Sequence, residues 1–379
     1  MATIVRFDVA APYEVEETDT PFARPQGREL LARIYRPTGE PAVPLAALVD
    51  VHGGAWTRGD HTTDALHCRA LAACGLVVVS LGFRQGPDHK HPAASADVAA
   101  GVRYVRAHAR KLGVDPARIG LVGSSSGGHL ALLLAVRPGT PEHRGTPIVL
   151  PDGTLGATAG DDAVACVLAL YPVADPLARY RYVLTRQHEP VQPGGFNAAG
   201  FITAHHGFFP NEDAMAAASV TRVVSSRENT ALPPAWIAQP EFDDNVPAPI
   251  TEALVRAYQD GGGQIERAFL RRAARIHHAP QPGGREGHRA HARLRRPAPL
   301  SWRGPGPPPN LPVCAGCHTR PFPHLPVCAG CHTRPFPHLP VCAGCHTRPP
   351  SGLSRSVPGS PWRDERGGYG GPFRGPPSH

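Results

Sequence analysis

The chain has 379 residues, a formal net charge of +8, 45 Pro and 41 Gly. The basic surplus is local: 16 of the 39 Lys and Arg but only 3 of the 31 Asp and Glu lie after residue 270, so the mildly acidic first part gives no ground for a nucleic-acid surface. No window approaches the ~20 apolar residues of a membrane span, and the N-terminus lacks a basic stretch followed by an apolar one. The expectation is a cytoplasmic protein without membrane contact.

Before residue 270, short apolar or β-branched runs bounded by Pro, Gly or Asp predict strands at 30–35, 45–51, 76–81, 118–122, 163–170, 234–238 and 264–270. Apolar residues at three- and four-residue spacing predict helices at 63–73, 95–112, 127–136 and 249–258. Near-continuous apolar strands alternating with helices imply an α/β class with a mostly parallel, doubly wound sheet covered on both faces. Cys68, Cys74 and Cys166 are too few and scattered for a disulfide framework and read as small buried apolar residues.

The strand at 118–122 runs into Gly123-Ser124-Ser125-Ser126-Gly127-Gly128-His129-Leu130 and then a helix. By itself a G-x-S-x-G string is weak, because a Gly- and Ser-rich helix cap produces one by chance. Between a strand and a helix it gains meaning. Such a turn forces its central residue, Ser125, into strained backbone and lifts the hydroxyl above the sheet, while Gly123 and Gly127 let strand and helix approach. A serine at its ordinary pKa is a poor nucleophile, so this reading demands a base, an orienting acid and donors for an oxyanion. After the strand at 45–51 comes His52-Gly53-Gly54-Ala55-Trp56. The backbone amides of Gly53, Gly54 and Ser126 are the candidate oxyanion hole, and His52 reads as a structural residue holding that loop rather than as the base.

The His52-Gly53-Gly54 loop, the segment Phe83-Arg84-Gln85-Gly86-Pro87-Asp88-His89-Lys90-His91-Pro92-Ala93 and the Ser125 elbow occur in this order. Over residues 25 to 270 the chain thereby resembles the hormone-sensitive-lipase-like (fold-3) carboxylesterases of the α/β-hydrolase fold. The resemblance implies hydrolysis of short-chain carboxylic esters through an acyl-enzyme, a small-molecule ester substrate, and neither metal nor organic cofactor. Two positions depart from the pattern: Ala55 stands where lipase-like members carry a third glycine, and Gly86 stands where alanine is usual. The Gly-Gly-x-Trp form looks like kynurenine formamidases and feruloyl-esterase-like relatives, which leaves an arylformamidase-like amidase as the alternative. From another class, a non-catalytic or haem- or metal-binding protein remains.

The family's spacing of Asp, two residues, then Val-Pro selects Asp243 in Phe242-Asp243-Asp244-Asn245-Val246-Pro247 as the acid; Asp244 is the fallback, and one of the pair could cap the following helix. For the base the family carries a Pro-Gly-x-x-His-Gly loop after the last strand. Here the chain reads Arg271-Arg272-Ala273-Ala274-Arg275-Ile276-His277-His278 instead, so His277 and His278 are candidates by position only, against the reading that both open a disordered basic tail.

An insertion at 172–233, with Phe196, Phe201, His205, His206, Phe208, Phe209 and a helix at 212–218, falls where this fold places a cap. Its aromatics either line an apolar pocket or anchor the cap, and no metal role is assigned to His205 and His206. The tail at 271–379 is Pro-, Arg- and Gly-rich and too poor in apolar residues to bury a core. At 311–349 it repeats a 14-residue unit containing Cys314-x-x-Cys317-His318, Cys328-x-x-Cys331-His332 and Cys342-x-x-Cys345-His346. That string is the attachment signature of c-type haem and could also complete a zinc site. The identity of the copies, beginning where the resemblance stops, points instead to a translated, frameshifted DNA repeat. The oligomeric state is open.

Overall fold

A computed structural model describes residues 4–5, 12–156, 161–191, 195–228 and 231–270. Of the two compact units, Met1–Gly283 and Gly284–His379, all described residues belong to the first. The tail with its repeats, and His277 and His278 with it, lies outside the described residues.

Eight strands form one sheet. They are β1 (Val15–Ala23), β2 (Leu30–Pro37), β3 (Leu45–Val51), β4 (Val77–Leu81), β5 (Val114–Ser124), β6 (Val167–Leu170), β7 (Ala235–Pro240) and β8 (Ile265–Leu270). Their order across the sheet is β1-β2-β4-β3-β5-β6-β7-β8. Only the β1–β2 and β2–β4 pairings are antiparallel; from β4 through β3 to β8 every neighbour is parallel. This is the α/β-hydrolase fold. All five residues of β4 are buried, and β3 has only Ala46 partly open, the pattern of strands covered on both faces. The parallel strands deliver their carboxyl ends to one edge, where α/β sheets place their sites.

Nine helices accompany the sheet among the described residues: α1 (Ala65–Ala73), α2 (Ala93–Ala107), α3 (Ala109–Leu112), α4 (Ser126–Val136), α5 (Pro176–Thr185), α6 (Ala198–Phe208), α7 (Glu212–Ala217), α8 (Val220–Ser226) and α9 (Ala248–Asp260). Every residue of α4 is buried, so Ser126-Gly-Gly-His-Leu-Ala-Leu-Leu-Leu-Ala-Val is apolar all round because it is a central core helix.

Several elements differ from expectation for physical reasons. The helix expected over 95–112 breaks at His108 into α2 and α3. The strand expected over 163–170 contracts to Val167–Leu170. β1 reads Val-Glu-Glu-Thr-Asp-Thr-Pro-Phe-Ala and was not expected. It is an edge strand whose outward charges pair across to β2, Asp19 with Arg33 at 2.6 Å and Glu16 with Arg36 at 3.3 Å, the usual protection of a sheet edge. Four helices lie between β6 and β7, where only α7 was expected. Their start signals were nevertheless present: the side chains of Asp175, Asn197, Asn211 and Ser219 accept the amides of Ala178, Gly200, Ala214 and Arg222.

Candidate active site

β5 ends at Ser124 and α4 begins at Ser126, so Ser125 alone makes the turn, at φ 52° and ψ −116°. A non-glycine residue held there costs about 1–3 kcal/mol. The neighbours hold it in place: its N–H donates to Leu170 O at 2.8 Å, and its carbonyl accepts the amides of His129 and Val173, each at 3.1 Å. Ser124 and Ser126 are buried at 4% and 1% exposure, while Ser125 is partly exposed. A Cβ on Gly127 would sit 1.9 Å from Val51 O and 2.4 Å from His52 O. Glycine is required at that crossing of helix and strand. Gly127→Ala should therefore lower stability by about 3 kcal/mol or more, read as a lower urea midpoint at unchanged m.

The loop after β3 is fastened to this elbow. His52 is fully buried, stacks on Phe83 with ring centroids 4.2 Å apart, and donates from Nδ1 to Gly53 O at 2.7 Å. Burial pushes its pKa down, so it is a neutral structural residue. Ala55 and Trp56 both have positive φ, 54° and 61°, and Ala55 thus occupies the left-handed conformation that the more usual glycine would take at less cost. Trp56 restrains the turn. Its amide donates to Ser126 Oγ at 3.1 Å, and its Nε1 donates to His129 Nδ1 at 3.2 Å. This fixes the His129 tautomer, whose Nε2–H donates to Ala218 O at 2.8 Å; burial pushes the pKa of His129 down to about 3.

Trp56 also carries the helices inserted between β6 and β7. Its ring stacks on Phe208 with centroids 5.5 Å apart and meets Phe209 edge-on at 5.2 Å. Phe208 and Phe209 are buried at 0% and 1% exposure, so these two aromatics anchor α6 to the core. Phe196 and Phe201 instead carry the guanidinium groups of Arg186 and Arg179, at 3.9 and 4.0 Å. His206 Nε2 bonds the Tyr180 hydroxyl at 2.8 Å. Gly86 has its own reason: a Cβ there would lie 2.7 Å from Gly207 O on α6, so the alanine usual at this position would push the helix away. In the same segment Arg84 forks onto Asp97 at 2.8 and 2.9 Å.

After β7, Asp243 is partly buried and Asp244 exposed. Asp243 Oδ1 accepts the amides of Asn245 and Val246 at 2.8 and 2.9 Å, and Oδ2 accepts Gln239 Nε2 at 2.9 Å. Asp244 contributes its backbone carbonyl, which accepts from the Tyr182 hydroxyl at 3.0 Å. Burial raises the pKa of Asp243, against the Val246 and Asn245 amides, Gln239 and the Arg179 charge. Arg179 on α5 is 1% exposed, donates from Nε to Asn245 O at 3.2 Å and from its Nη2 to Asn245 Oδ1. Nothing in the residue pattern announced this buried cation. Arg179→Met removes the charge that opposes the rise, so the Asp243 carboxylate would be lost at higher pH as the medium is acidified. The acid limb of kcat/KM for ester hydrolysis is expected to move to higher pH in that variant.

A polar chain beneath the elbow was also not anticipated. Ser124 Oγ donates to Asp64 Oδ2 at 3.0 Å. Burial first, then the neighbouring Asp50 charge, raises Asp64 to about 6, opposed by His67, Ser124 and the Gly53 amide. Two concavities of the described residues, one beside Glu16, Ile34 and Tyr104 and one beside His91, Arg137 and His143, have neither Ser125 nor Asp243 in their walls. No helix among the described residues is long and apolar enough to cross a membrane.

The BD-FAE family profile matches residues 33–258. Carboxylic ester hydrolase LipN of Mycobacterium tuberculosis is 38% identical over 122 residues, covering 32% of this chain and 32% of LipN. Esterase LipQ of the same organism is 28% identical over 252 residues, covering 66% of this chain and 54% of LipQ. The matches thus span about a third to a half of these curated relatives' own length. Among solved structures, an esterase of Pyrobaculum calidifontis aligns with a TM-score of 0.51 at 25% identity, over 69% of this chain and 77% of the esterase.

Proposed function

This chain belongs to the BD-FAE family, and on that premise we propose that it cleaves short-chain carboxylic esters through an acyl-enzyme on Ser125. The observation that carries the reading is the backbone of Ser125, held at φ 52° between β5 and the N-terminus of α4. A strained, partly exposed hydroxyl at a helix N-terminus is the arrangement an acyl-transfer nucleophile needs, because the amides and dipole there favour developing negative charge. The named relatives, a carboxylic ester hydrolase and two esterases, support the ester class.

In this mechanism Ser125 Oγ attacks the ester carbonyl carbon while an imidazole accepts its proton. The amides of Gly54 and Ser126 donate to the tetrahedral oxyanion. The Gly53 amide, in the same loop, is the third donor. Collapse expels the alcohol, which takes the proton from the imidazolium, and water then repeats the sequence to release the acid. Asp243 holds the imidazole in its working tautomer and stabilises the imidazolium. His277 or His278 supplies the imidazole. Topology supports this placement: β8 is parallel to β7, Leu270 is in register with Pro240, and the chain therefore leaves β8 at the edge where the loop holding Asp243 begins.

The reading is tested by comparing turnover of a p-nitrophenyl butyrate with that of an N-formyl aryl amide. A preference for the ester supports it; a preference for the formamide replaces it with the amidase assignment. A chain that turns over neither counts against both readings.

A further inference from the structure

The carboxyl end of β3 and the face of α1 that packs toward it bring together three side chains for which ester hydrolysis has no use. Ligand atoms of Asp50, His67 and Cys68 all lie within 4.8 Å of one another. We propose that Asp50, His67 and Cys68 form a second site, which takes one divalent cation of the zinc class, Zn2+, Cd2+ or Co2+.

The donor set is an oxygen, an imidazole nitrogen and a sulfur, the mixture that suits zinc-class rather than magnesium-class cations. Asp50 is fully buried, and Ser80 Oγ donates to its Oδ2 at 2.7 Å, which orients the carboxylate and leaves Oδ1 facing His67 Nε2 at 2.9 Å. A metal-ligating carboxylate fixed by an outer hydrogen bond is the usual supporting arrangement. A tetrahedral metal with bonds of about 2.0–2.1 Å to N and O holds those ligands about 3.3 Å apart, so it would replace the 2.9 Å His67–Asp50 hydrogen bond, the pair opening slightly to admit it. His67 leaves a way in, with 29% of its side chain exposed against 0% for Asp50.

Binding a divalent cation would displace the Cys68 thiol proton to solvent, so that a thiolate, the His67 imidazole nitrogen and the Asp50 carboxylate face the metal. Asp64 lies beside the three, its Oδ2 3.9 Å from His67 Nε2, and is engaged by Ser124 Oγ.

The test is a Cd2+ titration of the full chain in which Cys314, Cys317, Cys328, Cys331, Cys342 and Cys345 are replaced by Ser, read by the sulfur-to-cadmium charge-transfer band in the near ultraviolet. One equivalent is expected to bind with that band. Cys68→Ser should abolish the band, and His67→Gln should weaken binding about 10-fold or more. If Cys68→Ser does not fold, His67→Gln, at a partly exposed position, carries the comparison alone. An absent band, or binding unchanged in the variants because Cys74 or Cys166 supplies it, overturns the proposal. Ester turnover plays no part in the readout, so failure of the esterase reading leaves this test intact.

Discussion

Ser125→Ala is expected to cut turnover of a p-nitrophenyl short-chain ester by about 10^4-fold or more while changing stability by less than about 1 kcal/mol. The two parts of the expectation have separate origins. Activity depends on Oγ, to which no described residue hydrogen-bonds, so the hydroxyl contributes little to the fold. Stability at this position depends on the backbone, which Ala retains: the Ser125 amide still donates to Leu170 O, and its carbonyl still accepts from His129 and Val173. Loss of activity together with a large loss of stability would mean that Ser125 is a structural turn residue. Retained activity would move the nucleophile elsewhere.

Asp243→Asn should cost about 10^4-fold in kcat, the consequence of leaving the base in the wrong tautomer, whereas Asp244→Asn should change kcat by less than about 3-fold. The contrast rests on the loop after β7. An amide oxygen at residue 243 can still accept from Asn245 and Val246, which now donate to Oδ1 at 2.8 and 2.9 Å, so the loop survives while the carboxylate charge disappears. Asp244 is exposed and engages Tyr182 through its backbone carbonyl, which substitution leaves unchanged. Steady-state kinetics on both variants, with circular dichroism as the check on folding, separates the two carboxylates. Equal losses in both would contradict the assignment of Asp243.

The parts legible in the sequence were those with a local chemical reason. The buried strands β3, β4 and β5 announce themselves as apolar runs, and the elbow is recognisable because Gly123 and Gly127 flank Ser125 at a strand-to-helix junction. Illegible parts depend on partners distant in the chain. β1 hides because Glu16 and Asp19 serve charges on β2 rather than a core. The anchoring of α6 follows from Trp56 meeting Phe208 and Phe209, some 150 residues later, and no periodicity encodes that encounter. The departure at Gly86 is likewise intelligible only once Gly207 is seen against it. Arg179 and Asp64 gain their meaning from burial beside Asn245 and Ser124, which composition and spacing do not reveal. His277 and His278 lie outside the described residues, and their assignment rests on the exit of β8 at the catalytic edge.

The central claim is that Ser125 is an activated nucleophile in this chain. Incubation of the full chain with a fluorophosphonate, followed by peptide mass mapping, tests it most directly. The account predicts a single phosphonate adduct, on Ser125 and absent from Ser125→Ala; an unmodified chain, or an adduct on Ser124, Ser126 or any other residue, would contradict it.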